Sequence, residues 1–335
     1  MASFSSRIVR WFRKNARALP WRETNDPYKI WISEMMLQQT QVATVIAYYD
    51  RFIEKFPTVG ALASAKETEV LKLWEGLGYY RRARHLHAAA RLVVRELNSQ
   101  FPQSRDEILK LPGVGAYSSG SILAIAFRKR VAALDGNLIR VYSRHRGIRD
   151  AVDEGKTLKK LWEIAESEVP HKPEDIREFT EGMMELGALV CTPKNPKCLI
   201  CPVREDCVAR QKNWIDQIPK KARKMVRIKK YEEVFLIRDR KGRVAVGEIG
   251  SDLKYSHFHR LPFRETDQLC SGTVRGSKVK RFRYSVTNRD FEVSVRQVSK
   301  VPVSLGKVTF MSSDQIRRAL LPAIDRKILK ASLEE

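Results

Sequence analysis

Four of the chain's five cysteines lie within seventeen residues, spaced Cys191-x6-Cys198-x2-Cys201-x5-Cys207. Thiolates this close along a proline-bearing segment can converge on one centre, and four sulfur ligands suit either an iron–sulfur cluster or zinc. Structural zinc sites usually contain two short knuckles, whereas only Cys198 and Cys201 form a C-x2-C pair here. The spacing therefore favours a 4Fe–4S cluster over zinc, and either metal over disulfides or unligated thiols.

A second candidate site is the sequence LPGVGAY (residues 111–117), which joins two helical runs. A turn that needs glycine at both Gly113 and Gly115 exposes backbone N–H groups at the start of the following helix, where they can bind a DNA phosphate. A plain connector between helices would use the same residues. Taken alone, the hairpin leaves both interpretations open.

Two carboxylates stand out by their surroundings. Glu34 falls on the apolar face of a helix predicted over residues 27–56, with Ile30 and Leu37 about one turn away. A carboxyl group in that position is either paired or has a raised pKa and can serve as an acid. Asp135 stands at a helix start, where capping of the helix is the simplest role.

The elements that must position these residues differ between the two parts of the chain. Residues 1–210 predict an all-helical domain that ends in the cysteine loop at 191–207, with helical runs at 27–56, 68–74, 83–97, 117–127 and 176–190. A basic linker follows at 211–230. Residues 231–335 predict an α+β domain with strands at 234–237, 243–247, 282–286 and 291–298, and a closing helix at 313–333.

The bulk composition indicates the kind of partner. At 335 residues and 43% hydrophobic, the chain can bury a core in each of two domains. A formal charge of +24 predicts a polyanionic partner, with nucleic acid the first candidate and an acidic membrane surface the competing one. Neither a membrane span nor a cleaved secretory signal is predicted, so the expected location is the cytoplasm, at the nucleoid, or the nucleus of a eukaryote.

The order of these features resembles that of the endonuclease III superfamily of helix-hairpin-helix DNA glycosylases, and within it the adenine DNA glycosylases of the MutY type. The resemblance covers about residues 15–210. Besides the hairpin and the cysteine loop, the matching segments are PWR (20–22), WISEMMLQQTQV (31–42), GLGYYRRAR (76–84), LDGN (134–137) and MELGA (184–188).

The resemblance implies a role for each residue of the catalytic pair. Glu34 would protonate N7 of adenine, and Asp135 would stabilise or trap the oxocarbenium-like sugar as the base leaves. Tyr117 and Asn137 would hydrogen-bond around these groups. Relatives that also cut the strand use a lysine where this chain has Tyr117, so base removal without efficient strand cleavage is expected.

The resemblance also implies contacts to DNA. Gln39 and Tyr79 would fill the space left by the extruded adenine, although core packing is an alternative for Tyr79. The remaining positions are Arg22 and Leu37 in the base pocket, Gly113 and Gly115 in the hairpin, and Lys194 and Lys197 in the cysteine loop. The two lysines would contact phosphate or would simply be solvated loop charges.

In this family the C-terminal domain is related to Nudix hydrolases and reads 8-oxoguanine opposite adenine through a short Phe-Ser-His-like loop. The Nudix catalytic helix is missing from the sequence, so pyrophosphate hydrolysis is not expected. Two segments compete for the recognition loop: YSHF (255–258) has the better composition, whereas Tyr284 and Ser285 have the expected order. The order favours Tyr284 and Ser285.

The expected function is that of a monomeric, monofunctional base-excision glycosylase that carries a 4Fe–4S cluster and removes adenine opposite 8-oxoguanine or guanine in double-stranded DNA. One alternative is a mismatch glycosylase of altered specificity, acting on thymine or adenine opposite guanine. The other is a DNA-binding protein without activity. The presence of both Glu34 and Asp135 argues against the latter.

Overall fold

The computed structural model describes residues 3–222, 226–248, 259–268, 280–286, 288–302, 305 and 307–332. The chain divides into two compact units, one of Met1–Ala65 with Arg82–Lys224 and one of Lys66–Arg81 with Met225–Glu335. The short segment 66–81 therefore belongs to the second unit, although it comes from the helical half of the sequence. The first unit also continues past residue 210, into the segment predicted as a linker.

Fourteen α-helices occur among the described residues. In chain order they are α1 Phe4–Asn15, α2 Pro27–Leu37, α3 Val42–Lys55, α4 Val59–Ser64, α5 Glu67–Leu73, α6 Arg81–Glu96, α7 Arg105–Ile108, α8 Ala116–Phe127, α9 Gly136–Arg146, α10 Gly155–Glu168, α11 Pro173–Leu189, α12 Val208–Gln211, α13 Ser313–Arg318 and α14 Ala323–Ala331. None of the described helices is long and apolar enough to cross a membrane.

Helix α11 is the centre of the first unit. It buries Ile176, Phe179, Met183 and Leu186, whose spacing of three and four residues forms one continuous helical stripe. This helix packs against α1, α8 and α9, and α2 packs against α8. The packing brings the carboxyl end of α2 close to the start of α8, which is where the candidate site forms.

The prediction of a single helix over residues 27–56 is wrong. The chain forms α2 and α3 instead, separated by the polar residues 38–41. Gln38 leaves helical geometry with ψ of 112°, and Gln39 adopts the left-handed φ of +58°. The apolar periodicity on either side predicts helix, but the four polar residues between contribute nothing to that stripe.

The second unit contains seven described strands in two sheets. The strands are β1 Ile228–Ile237, β2 Val244–Glu248, β3 His259–Arg260, β4 Phe263–Thr266, β5 Lys280–Val286, β6 Arg289–Val298 and β7 Thr309–Met311. One sheet has the order β4-β1-β6-β5, with β1 and β6 parallel and the other pairs antiparallel; the second has the order β3-β2-β7. All four predicted strand segments are confirmed, as is the α+β class.

The closing helix predicted over 313–333 is also divided. Helices α13 and α14 are separated by a short break that contains Pro322, which has no N–H group to donate and cannot continue a helix interior. Helix α14 buries Ile324 and Ile328 in the core of the second unit, against Val234 and Val293 of the larger sheet.

Candidate active site

One cleft of the first unit collects residues from three separate parts of the sequence. They come from the end of α2 and the loop after it, from the glycine hairpin with the start of α8, and from the start of α9. The lining residues are Glu34, Leu37, Gln38, Gln39, Thr40, Gln41, Gly113, Gly115, Tyr117, Ser118, Asp135 and Asn137. The four residues predicted to be catalytic thus share one cleft.

Glu34 lies on α2 and is only 4% exposed. Burial raises the pKa of its carboxyl group to about 7, while the hydroxyls of Ser121 and Tyr117 act in the opposite direction and Asp135 adds to the rise. Within the described residues, neither Glu34 Oε2 nor Ser121 Oγ has a hydrogen-bond partner of ordinary geometry. A carboxyl group in this setting retains a proton near neutral pH and can donate it.

Tyr117 and Ser121 are one turn apart on α8, and both hydroxyls flank Glu34. Burial, with the charges of Glu34 and Asp135, raises the pKa of Tyr117 well above its ordinary value. The phenol therefore remains a protonated donor. Its other neighbour is the sulfur of Met184, 3.9 Å away.

Asp135 is the N-cap of α9, as its sequence position predicts. Its Oδ1 accepts hydrogen bonds from the backbone N–H groups of Asn137 (2.9 Å) and Leu138 (2.8 Å), and its Oδ2 accepts one from Asn137 Nδ2 (3.0 Å). Gly187 of α11 makes room for this arrangement, because a Cβ there would lie 2.9 Å from Asn137 Cβ. The carboxylate is thus held rigidly at the wall of the cleft.

The hairpin requires glycine at one position rather than two. Gly113 has φ of +80°, and a Cβ added there would lie 2.7 Å from His85 Cβ. Gly115 has an extended φ of −106° and open space around it, which corrects the expectation that both are needed. Gly115 is instead the N-cap of α8, where the first N–H groups have no partner within the helix and can bind an anion.

The two positions predicted to fill the DNA stack share an unusual backbone. Gln39 is exposed at the cleft with φ of +58°, and Tyr79, in the second unit, has φ of +48° and is 46% exposed. The exposure of Tyr79 excludes the alternative of core packing. Trp74 Nε1 donates to Gly78 O at 3.2 Å and holds the turn that presents Tyr79.

Arg22 is not among the residues that line this cleft, so its role in the base pocket stays a prediction. Its Nη2 donates to Glu185 Oε2 at 3.0 Å, its Nη1 donates to Arg17 O, and its guanidinium lies over the Phe12 ring. Glu185 also accepts two hydrogen bonds from the Arg17 guanidinium, at 2.7 Å each, and one from the Arg17 backbone N–H at 3.3 Å. Arg22 lines a separate cavity, together with Phe12 and Arg17.

The four cysteines surround a second cavity, with apolar walls that include Val141, Leu186, Val190 and Val203. No three of the described His, Cys, Asp and Glu side chains are grouped closely enough for a single metal ion. All four thiols line one cavity, and four cysteine ligands suit an iron–sulfur cluster. Burial raises the pKa of three thiols, that of Cys201 to about 12, so a bound cation is needed to make them thiolates.

Hydrogen-bond donors complete the setting of a cluster. Arg144 Nη1 lies 3.6 Å from Cys191 Sγ and 2.7 Å from Thr192 O. Backbone N–H groups of Val203 and Arg210 donate to the sulfurs of Cys201 and Cys207. Such donors stabilise the negative charge of a thiolate-ligated cluster. The residues present therefore fit an iron–sulfur group.

The remaining predicted residues lie as follows. Lys194 and Lys197 are exposed on the cysteine loop. Tyr284 lies on β5 with its hydroxyl 3.0 Å from the buried Glu232 and its ring stacked on Phe291, and the hydroxyl of Ser285 donates to Asp290 at 2.6 Å. The competing segment, residues 255–258, lies outside the described residues.

Sequence reasoning missed five contributors to the cleft, of which Thr40 and Gln41 belong to the loop after α2. Gln38 and Ser118 line it and are joined by a hydrogen bond of 3.1 Å, and Ser121 adds a hydroxyl beside Glu34. Ser121 could have been found, because it follows Tyr117 by one helical turn. Gln38 and Ser118 could not, because they are eighty residues apart and meet only through the packing of α2 against α8.

Comparison with known protein families gives separate matches for the helical part that contains the cleft and for the cysteine loop. Residues 32–167 match the HhH-GPD superfamily of base excision DNA repair proteins. Residues 191–207 match the iron–sulfur binding domain of endonuclease III. The cofactor of this segment is a 4Fe–4S cluster, and the four cysteines of the loop are the residues that would hold it.

Curated relatives include adenine DNA glycosylases. That of Buchnera aphidicola subsp. Schizaphis graminum is 41% identical over 229 residues, which cover 68% of this chain and 65% of the relative. That of Rattus norvegicus is 45% identical over 222 residues, covering 63% of this chain and 42% of the relative. The chain thus spans less than two thirds of the length of these proteins.

Solved structures resemble the helical part. A thermostable thymine-DNA glycosylase is 34% identical with a TM-score of 0.57, and the match covers 62% of this chain and 95% of that structure. Endonuclease III in a non-covalent DNA complex shares the fold, at 22% identity and a TM-score of 0.53 over 62% of this chain and 94% of that structure. The chain therefore belongs to the HhH-GPD superfamily of base excision DNA repair proteins.

Proposed function

We propose that this protein is a DNA glycosylase that hydrolyses the N-glycosidic bond of adenine mispaired with 8-oxoguanine or guanine in double-stranded DNA. The observation that carries the proposal is the buried Glu34, with a pKa of about 7, in the same cleft as the rigidly held Asp135. Two carboxyl groups in such different surroundings suit an acid and a charge-stabilising partner. The names of the curated relatives agree with this chemistry.

The first step is protonation of the base. Adenine is a poor leaving group as an anion, so proton transfer from Glu34 to N7 lowers the barrier to cleavage. Burial of Glu34 keeps the proton available, and the Tyr117 hydroxyl orients the carboxyl group. Neutral adenine then leaves with the electron pair of the glycosidic bond.

The second step takes place at the sugar. As the bond breaks, positive charge develops at C1′, and the carboxylate of Asp135 stabilises it or traps C1′ covalently before water adds. Three hydrogen bonds from the start of α9 fix this carboxylate, so little reorganisation is needed. Water supplies the hydroxyl group of the abasic product.

Double-stranded DNA is the proposed partner. The net charge of +24 favours binding to a polyanion, and the N–H groups at the start of α8 offer a phosphate site beside the cleft. Gln39 and Tyr79, both exposed in left-handed turns, are suited to enter the stack where the adenine has left. When bound, the cluster would brace the loop that presents Lys194 and Lys197 to the DNA backbone, without a part in proton transfer.

The reaction is proposed to end at the abasic site. Where strand-cleaving relatives carry a lysine, this chain has Tyr117, whose phenol cannot form a Schiff base with C1′. Borohydride should therefore trap no covalent enzyme–DNA complex during turnover. A trapped complex formed in proportion to base release would contradict the monofunctional proposal.

The second unit is proposed to read the base opposite the adenine as a divergent Nudix-like domain. Ser285 is exposed on the edge strand β5 and remains a candidate contact, although its hydroxyl donates to Asp290. Tyr284 is more buried, and its hydroxyl donates to Glu232. A second candidate function is removal of thymine opposite guanine. It is favoured by the 34% identity to a thymine-DNA glycosylase over nearly its whole length.

The roles of the two carboxylates can be tested by separating binding from chemistry. Glu34→Gln should abolish base release from a duplex with adenine opposite 8-oxoguanine while duplex affinity persists. Ser104→Ala, which changes a helix cap outside the cleft, is the matched control and should retain full turnover. Substantial release by the Gln variant would exclude Glu34 as the acid.

A further inference from the structure

We propose that Arg82 is a positioning residue for extrusion of the target base, because it fixes the loop that carries Gln39. The inference rests on the proposed function, in which Gln39 enters the space left by the adenine. Arg82 lies at the start of α6, and its hydrogen bonds reach the end of α2 and the loop that follows it. Its proposed action is therefore on the loop.

The guanidinium of Arg82 donates hydrogen bonds to the end of α2 and to the loop that follows it. Its Nη1 donates to the carbonyl oxygens of Met35 (3.0 Å), Met36 (2.9 Å) and Gln38, and its Nη2 donates to Thr40 Oγ1 (3.1 Å). The side chain is only 9% exposed. The last carbonyl groups of a helix have no partner within the helix and carry partial negative charge, so a buried cation with several donors is well placed there.

The contacts lie on both sides of Gln39. Arg82 binds the carbonyl of the preceding residue, Gln38, and the hydroxyl of the following residue, Thr40. Between these two anchors Gln39 adopts φ of +58°, a conformation that costs free energy for a residue with a side chain. The anchors hold the chain in this turn before DNA binds.

A third anchor is independent of Arg82. Gln38 Nε2 donates to Ser118 Oγ on α8 at 3.1 Å, so this side chain is tied to the hairpin. Gln38 and Thr40 are half-buried as a result, whereas Gln39 between them is exposed. The loop thus presents one side chain in a fixed direction, and such preorganisation lowers the cost of inserting it into the stack.

The test measures base extrusion without chemistry. In the Glu34→Gln background, a duplex with 2-aminopurine at the target position should fluoresce more strongly on binding, because the base leaves the stack. Adding Arg82→Lys keeps the charge but loses the planar set of donors, and should lower the extrusion equilibrium roughly tenfold at unchanged duplex affinity. Equal fluorescence with and without this substitution would overturn the proposal.

Two further variants separate positioning from a general loss of structure. Arg81→Lys, at the exposed neighbouring position, is the matched control and should leave extrusion unchanged. Thr40→Val removes one acceptor without touching the charge and should give a smaller loss in the same direction, which keeps the test available if Arg82→Lys does not fold. Unchanged extrusion in Thr40→Val, with Arg82→Lys unfolded, would also count against the proposal.

A double substitution tests whether Arg82 acts through Gln39. Combining Gln39→Ala with Arg82→Lys should be no worse than Gln39→Ala alone, because both remove the same function. If the losses in extrusion caused by the two substitutions are additive, Arg82 does not act through Gln39. If no protein raises the fluorescence and the wild type releases no adenine, the proposed function fails together with this inference; normal release with equal fluorescence removes the inference alone.

Discussion

Glu34 and Asp135 are the same kind of acid in two opposite surroundings. Glu34 is buried on α2 beside two hydroxyls of α8, and its Oε2 has no hydrogen-bond partner of ordinary geometry among the described residues. Asp135 accepts three hydrogen bonds at the N-terminus of α9. The first environment favours a protonated carboxyl group, and the second provides donors for a carboxylate, so the surroundings assign the two roles.

The pH dependence of base release should report the Glu34 proton. Burial raises its pKa to about 7, and only the protonated acid can donate to N7. The single-turnover rate constant should therefore fall as pH rises through about 7, approaching a tenfold loss per pH unit at higher pH. A rate constant that stays level between about pH 6 and 9 would contradict this assignment.

The same pKa shift predicts a pH-dependent stability. A folded-state pKa above the ordinary 4.5 means that the stabilising contribution of the proton is complete below pH 4.5 and is lost as pH rises to about 7. Glu34→Gln should therefore stabilise the fold at pH 8 by up to about 3 kcal/mol, with little gain at pH 5. Thermal unfolding at both pH values measures the difference, and an equal change at both would disprove it.

Helix α9 connects the cleft to the cysteine loop. Asp135 caps its first turn, and Arg140, one turn further on, donates to Asn137 Oδ1, Gly187 O and Cys191 O. Arg144 on the next turn donates to the loop carbonyls. One rigid helix thus sets the position of the carboxylate and holds the start of the cluster loop.

Arg144→Ala should loosen that loop. The side chain is almost fully buried and donates to Ile218 O (2.9 Å), Thr192 O (2.7 Å) and Pro193 O (3.1 Å). Its loss leaves buried acceptors unpaired, at a cost of about 2–4 kcal/mol. The cluster absorbance per protein should fall on mild heating, whereas Arg146→Ala, a more exposed residue of the same helix, should behave like the wild type.

Cys198→Ser tests the cluster itself. Removing one thiolate should abolish the brown absorbance at about 400 nm expected of a 4Fe–4S cluster and weaken duplex binding. Because the cluster is not proposed to move protons, any protein that still binds DNA should cleave at a normal single-turnover rate. Zinc in place of iron in the purified wild-type protein would contradict the assignment of a 4Fe–4S cluster.

The sequence predicts elements where one apolar stripe decides the structure. Helices α8 and α11 and the strands β5 and β6 follow from periodicity, and the Asp135 cap follows from its position. The break between α2 and α3 does not, because apolar periodicity continues on both sides of residues 38–41 and the guanidinium that binds Gln38 O lies more than forty residues away. The partners of Arg22 and Tyr284 could not be predicted for the same reason, because the carboxylates of Glu185 and Glu232 lie far from them along the sequence.

The two units bring different chemistry to the whole molecule. The first contains the proposed acid, the carboxylate, the phosphate site and the cluster loop, and the second contains the mixed sheet and the exposed Tyr79 turn. Removal of adenine from normal adenine–thymine pairs would damage DNA. The proposed reaction therefore requires that the protein distinguish the base opposite the adenine. We expect the second unit to supply it.

Single-turnover base release from four duplexes is the most direct test of the proposal that the protein removes adenine according to the base opposite it. The duplexes carry adenine opposite 8-oxoguanine, guanine, cytosine or thymine and are read after alkali treatment, with thymine opposite guanine as a fifth substrate. We expect fastest release opposite 8-oxoguanine, slower release opposite guanine and little from the others. Release of thymine opposite guanine, with adenine untouched in all four duplexes, would contradict it.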